Sequence, residues 1–345
     1  MFATRRLMIT GLLAAGLGAE GCHGKVNPRS KVSGLDLGLM ARDFPALAAR
    51  ALPGRFTLAV MSLGEPGVWS ADEAGLYPLQ DLAAFPIAAA ALAEVDAGRL
   101  TLNERIPIRL VDLSPPPSRI NRRFPLAGHA EALELPVVDL IALAAQEGDA
   151  TAADAVMHRI GGPGAITTWL REHKVGDLRI DRYQREIQVD MSGMASFRDD
   201  WKDPTPWAAA RASIAPQARE AAMARYLRDP RDTTTATAML NLIQRITDGG
   251  LLSRPSAALL LRLMSTRRGD LLGPGLPGAA ALAHLAGNSD TDLGYTAATG
   301  DIGLITLADG RRLALAALLS GSTASAPQRR ALFADAARLA ISALT

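Results

Sequence analysis

Asp81, Asp149, Glu186 and His284 are the side chains of this sequence whose types and surroundings could do chemistry. Asp81 lies in YPLQDLAAFPIAAAALAEVDAGRL, residues 77–100, at the mouth of an Ala- and Leu-rich run. A carboxylate there could act as nucleophile or general base, provided a partner acid stands close by. The neighbouring residues supply none. The competing reading is a helix cap: Asp81 would accept hydrogen bonds from the N–H of Ala83 or Ala84 and favour the helix dipole. Asp149, in GDATAAD, carries the same two readings. His129, His158, His173 and His284 lack the spacing of a metal site, and no metal or cofactor is expected. There is no Gly-x-Ser-x-Gly elbow and no Ser-x-x-Lys anywhere in the chain. GGPGA, residues 161–165, lacks the Gly-Lys-Ser/Thr ending of a phosphate loop and reads as a joint between two helices.

The elements that must position these groups follow from pattern. RFTLAVMSL, residues 55–63, is a β-rich run. DIGLITLADGRRLALAALLSG is two apolar runs joined by Asp309-Gly310, a strong hairpin signal. Between them the chain reads as helical over 82–97, over 135–146 with Pro136 at the entry, and over TAADAVMHRIGG, TTTATAMLNLIQRITDGG and RPSAALLLRLM. A last helix spans about 327–344. Residues 110–130 and SFRDDWKDPTPW, 196–207, read as loops. Strands at both ends with helices between them predict an α+β chain: one sheet built from its two ends, an inserted all-α subdomain, and a cleft between the two. The sheet subdomain is placed at about 41–75 and 282–345, and the helical one at about 76–281.

The chain has 37 basic and 35 acidic residues, a net charge of +2. That excludes the electrostatic footprint of a nucleic-acid binder. The N-terminus, TRRLMITGLLAAGLGAEGC, has Arg5-Arg6 followed by an apolar run too short to span a bilayer. Residues 1–22 are read as an export signal of twin-arginine type and 23–40 as a linker. Cys22, the single cysteine, rules out an intrachain disulfide and is a candidate lipidation site; its alternative is a cysteine without a role in a removed leader. The expected location is the periplasm, free or anchored there by lipid. A monomer is expected, with an unknown cell-envelope ligand or protein as partner, no nucleic acid, and the membrane reached only through Cys22.

From about Arg55 to the C-terminus the sequence resembles the class A β-lactamases, within the penicillin-interacting serine hydrolases. The markers are YPLQ with FPIAAAALAEVDAGRLTLNERI, then DATAADAVMHRIGGPGAI, RDTTTATAML, TRRGDLLGPGLP and DIGLITLADGRR, in family order and spacing. The resemblance implies a five-stranded antiparallel sheet flanked by helices, plus an all-α domain. It also implies a set of working groups: Ser-x-x-Lys for nucleophile and base, Ser-Asp-Asn for proton transfer, Lys-Thr-Gly for the substrate carboxylate, and a Glu for the deacylating water.

Matched residue by residue, this chain has Asp81-Leu82-Ala83-Ala84 at the first motif, Gly148-Asp149-Ala150 at the second and Leu285-Ala286-Gly287 at the third. Gln184 is the best match to the Glu, with Glu186 two residues away. Asp149 and Gly287 are the motif residues that remain. Asp81 has no hydroxyl proton to give up, and Ala84 cannot act as a base. The exchanges also leave the pocket about two charges more negative, which repels a carboxylate by ~1–4 kcal/mol per close pair. The backbone N–H groups of Asp81 and Asn288 match the oxyanion hole, but a carboxylate on Asp81 would compete for them. The reading is therefore an exported, catalytically inactive homologue with a binding or scaffold role. Its rivals are a serine-independent hydrolase using Asp81, Asp149, Glu186 or His284, and a working β-lactamase as family membership alone would imply.

Overall fold

The structure, a computed structural model, describes residues 34–64, 67–124, 132–265 and 270–345. The Arg5-Arg6 leader, Cys22, His129 and the arginine pair 267–268 lie outside the described residues. The chain runs through α1 (Leu37–Ala49), β1 (Arg55–Leu63), β2 (Val68–Ser70), β3 (Tyr77–Pro78), α2 (Ala84–Asp96), β4 (Arg105–Arg109), α3 (Arg119–Arg123) and β5 (Ala132–Pro136). It continues through α4 (Val137–Glu147), α5 (Ala150–Arg159), α6 (Pro163–Glu172), α7 (Gln184–Met191), α8 (Pro204–Ala212), α9 (Pro216–Tyr226), β6 (Thr233–Thr234), α10 (Ala236–Thr247) and α11 (Arg254–Ser265). It closes with β7 (Ala281–Asn288), β8 (Thr291–Asp292), β9 (Tyr295–Thr306), β10 (Arg312–Ser322) and α12 (Ala326–Ser342).

The main sheet has the order β2-β1-β10-β9-β7, with the two-residue β8 added beside β9. All of its pairings are antiparallel. The α+β architecture read from the sequence is thus present, with five strands on the main path and β8 as a sixth. The Asp309-Gly310 hairpin is present too; Gly310 takes φ +87°, which an L-residue adopts only with strain. The strands are apolar on both faces because both faces are covered. Leu58, Val60, Leu313, Leu315, Ala317 and Leu319 pack with Met40, Phe44 and Phe333 of α1 and α12. The alternate residues Ala59, Met61, Ile302, Leu304, Ala314, Ala316 and Leu318 join the helical core around α2.

α2 is buried on every side: each residue from Ala84 to Leu92 is shielded from solvent. A helix that is apolar all round belongs in the middle of a core. Its start is set against the sheet through a missing side chain. A Cβ on Gly300 would stand 2.5 Å from Leu82 Cδ1, so the glycine lets Leu82 lie on β9.

Three readings from the sequence need correction. The linker placed at 23–40 runs too far, because α1 starts at Leu37, is capped by the Asp36 carboxylate and buries Met40 completely. The stretch 196–207 is not all loop. It holds a 3-10 turn at Asp199–Lys202 and the start of α8, with proline in the first turn. Residues 110–124 are not all loop either, since they hold a 3-10 turn at Leu110–Asp112 and α3. α8 is flanked by α7 and α9, for which the sequence carries no separate reading. These helices belong to one excursion, residues 183–231, whose neck is pinned by Arg182. Its Nε donates to Asp232 Oδ2 at 2.7 Å, and the backbone N–H groups of Asp181 and Arg182 donate to Asp232 Oδ1. Among the described residues no helix is long and apolar enough to cross a membrane.

The Gly300–Leu82 contact gives the first prediction. Gly300→Val forces Leu82 off the sheet and is expected to cost ~1–3 kcal/mol. Urea unfolding should show a lower midpoint at unchanged slope; an unchanged midpoint would mean Leu82 has room to spare.

Candidate functional site

Asp81 sits inside a 3-10 turn, Gln80–Ala83, that leads into α2. The helix-cap reading is not what the structure has. The capping positions of the turn and of α2 fall on Leu79 and Ala83, and neither carries a side-chain cap. Asp81 instead turns towards the sheet, where its Oδ2 accepts from the backbone N–H of Asn288 at 3.4 Å. Two glycines make room for it. A Cβ on Gly148 would stand 3.2 Å from Asp81 Oδ2, and one on Gly287 would stand 2.9 Å from Asp81 Cβ and 3.0 Å from the Leu82 nitrogen. Gly148 also ends α4 in the left-handed conformation, φ +64°.

Asp149 is buried and works as a structural acceptor. It caps α5 through the Ala152 N–H, and it also accepts from Ser118 Oγ at 2.9 Å, Arg119 N at 2.7 Å and Ile120 N at 3.2 Å. It therefore fastens the 118–120 segment to α5. Asp81, Ala84, Gly148, Asp149, Ala150 and Gln184 all line one cavity of about 20 Å³, room for roughly a single water. Gln184 opens α7; its side-chain Nε2 is buried without a hydrogen-bond partner.

The third motif position divides across the sheet, because successive strand residues face opposite ways. Leu285 is fully buried in the core around α2, and Ala286 packs on the α1–α12 side. Gly287 faces Asp81. His284, on the face of Ala286, points away from the cleft, which removes it as a cleft-lining residue. Its Nδ1 is bonded to Asp301 Oδ1 at 2.8 Å, and Asp301 Oδ2 accepts from the Leu271 and Leu272 N–H groups. Glu186 is also out of the cleft: its Oε2 accepts from the Tyr183 N–H at 2.8 Å, half of a capping box for α7.

Several residues at the site carried no sequence signal of their own. A second space of about 110 Å³ lies over Asp81 and Asn288, and the excursion roofs it with Gln188, Met191, Trp207 and Arg211. Arg211 pairs with Asp290 at 3.1 Å, and Arg219 with Asp292 at 2.8 Å, so α8 and α9 are tied to the strand edge by charge. Gln80 Nε2 donates to Tyr226 Oη, a further tie to α9. These contacts join positions more than 70 residues apart, which is why local pattern could not show them.

Asp154 of α5 anchors the other end of the roof. It accepts from the Gln184 N–H at 2.6 Å, the Arg185 N–H at 3.1 Å and Ser114 Oγ at 3.0 Å. It thus serves α7 from across space as a capping residue would. Full burial pushes its pKa up to about 7.

Two predictions follow from these carboxylates. Asp149→Ala strands the donors of Ser118, Arg119, Ile120 and Ala152 and is expected to cost about 3 kcal/mol or more, read by chemical denaturation. For Asp154, the folded state holds a proton that the unfolded chain releases between pH about 4 and 7. Its contribution to stability therefore falls as pH rises through that window and is level above it. Unfolding free energies measured from pH 4 to 8 should show a shallower fall in Asp154→Asn than in the unaltered protein, by up to one proton, about 1.4 kcal/mol per pH unit.

With the geometry in view, comparison with known proteins is direct. Residues 40–344 match the model of the β-lactamase enzyme family. β-Lactamase VEB-1 of Pseudomonas aeruginosa is 24% identical over 293 residues, covering 84% of this chain and 85% of that protein. β-Lactamase L2 of Stenotrophomonas maltophilia is 27% identical over 305 residues, covering 87% and 84%. Among solved structures, a β-lactamase from Chitinophaga pinensis superposes with a TM-score of 0.69 at 26% identity, covering 87% of this chain and 97% of that one. An ancestral class A β-lactamase gives 0.68 at 26%, covering 88% and 99%. The chain belongs to the β-lactamase enzyme family and has the class A fold.

Proposed function

We propose that this protein is an exported, non-acylating member of its family that serves as a binding or scaffold module in the cell envelope. The observation that carries the reading is the Asp81 carboxylate seated on the Asn288 N–H. Acyl transfer needs a nucleophile at that turn and needs N–H donors open to the carbonyl oxygen as it gains charge. Here an anion stands in the nucleophile's place and occupies one of the matching donors. Ala84 offers no base, and buried Leu285 offers no cation to a substrate carboxylate. In serine hydrolases, loss of the nucleophile alone costs on the order of 10⁶ in rate, roughly 8 kcal/mol.

The rival reading, hydrolysis by cleft carboxylates, loses Glu186 to helix capping and His284 to the far face of the sheet. It is left with Asp81 and with Asp149, whose oxygens are already engaged by four donors.

The test is the intact mass of the full chain after incubation with a penicillin, together with turnover of a chromogenic cephalosporin. No mass increase and no turnover above buffer are expected. A covalent adduct, or turnover abolished by Asp81→Asn, would overturn the proposal.

A further inference from the structure

A basic hollow is built on the 183–231 excursion and does not include Asp81 in its lining. It has a volume of about 590 Å³ and is walled by Arg182, Arg225, Arg228 and Arg231, with Asp190 and Asp229 among them. That volume falls in the range of small-molecule sites. Three features set it apart from an ordinary solvated face. Arg182 is buried, its side chain only 7% exposed, and its Nη2 has no hydrogen-bond partner. Buried donors are rarely left open in this way. The two acids are already engaged: Asp190 pairs with Arg182 at 2.7 Å, and Asp229 with Arg231 at 2.6 Å and Arg182 at 3.4 Å. Arg225 and Arg228 have no carboxylate within ion-pair distance among the described residues, whereas Arg179, Arg211 and Arg219 are all paired.

Arg225 stands on the last turn of α9, and Arg228 lies three residues on, just past the helix end. Like charges at that spacing repel unless a counter-charge lies between them. The C-terminal end of the helix dipole accounts for one of them. It does not account for four guanidinium groups meeting at one concave surface. Guanidinium forks match the paired oxygens of carboxylate and phosphate.

We propose that this hollow binds a small polyanion carrying at least two carboxylate or phosphate charges. Arg225 and Arg228 supply the open forks, and Arg182 forms the fixed basic floor. The ligand would also brace the excursion, because Arg182 holds its neck and the hollow is lined by Tyr226, the partner of Gln80.

The experiment titrates the full chain with pyrophosphate and, separately, with citrate, by calorimetry and thermal shift. Sodium chloride at matched ionic strength is the control. Saturable binding of one or both probes is expected, with a rise in melting temperature by mass action. Preference for pyrophosphate would mark a phosphate ligand, and preference for citrate a carboxylate one. Arg225→Ser and Arg228→Ser, both exposed, should each weaken binding about tenfold, while Arg330→Ser on α12 leaves it unchanged. The proposal fails if neither probe saturates at millimolar concentration, if chloride reproduces the shift, or if Arg330→Ser weakens binding as much as the others.

Discussion

The site rests on one close approach of backbone to backbone. The turn before α2 lies against β7 at Gly287 so tightly that a methyl group there would collide with Asp81 Cβ and the Leu82 nitrogen. That contact fixes where residue 81 stands relative to the Asn288 N–H. It depends on the absence of a side chain at Gly287 and on the burial of α2, and on no catalytic group. Close-packed interiors transmit small volume changes directly, so a contact of this kind constrains the backbone more strongly than any exposed polar group could. A framework held in this way can keep its geometry while the side chains at its working positions change.

The excursion 183–231 is the second constraint. Its neck is closed by Asp232, which accepts from two backbone N–H groups and from the Arg182 guanidinium in a buried setting. Removing one partner of such a buried pair strands the other charge. The far end is held differently. Arg211 and Arg219 meet Asp290 and Asp292 nearer to solvent, where ion pairs contribute little and are screened by salt. Rigid at the neck and softer at the rim, the excursion has the distribution of local stability from which moving elements are drawn.

Much of this was legible in the sequence because it is written locally. The strand runs, the Asp309-Gly310 hairpin and the apolar α2 each carry a signal within about 20 residues. The side chains at 81, 84, 148, 150, 285 and 286 are likewise read directly from the short stretches that resemble the family's motifs. The expectation that an Asp81 carboxylate would compete for the Asn288 N–H also agrees with the geometry. What pattern could not give were contacts between distant segments: Asp154 with α7, Gln80 with Tyr226, and Asp301 with His284. Asp before an apolar helix is a common capping arrangement, so local reasoning offers a cap for Asp81, while its contact with the Asn288 N–H on the sheet is invisible to it. The side of the sheet that His284 occupies is likewise not given by its nearness to the third motif. Adjacency along a strand brings the next residue to the opposite face.

Gln80, directly before Asp81, ties these constraints together. It has φ +45°, a region that costs an L-residue of order 1–3 kcal/mol unless its surroundings enforce it. The enforcement is visible. Gln80 is buried, and its amide reaches Tyr226 Oη and Met191 Sδ, both on the excursion. The roof therefore does more than cover the cleft. It holds the strained residue that sets the direction of the turn, and so the position of the Asp81 carboxylate against β7. Loosening the roof would release the strain at Gln80 and withdraw the geometry beneath it, which makes cover and cleft one mechanical unit.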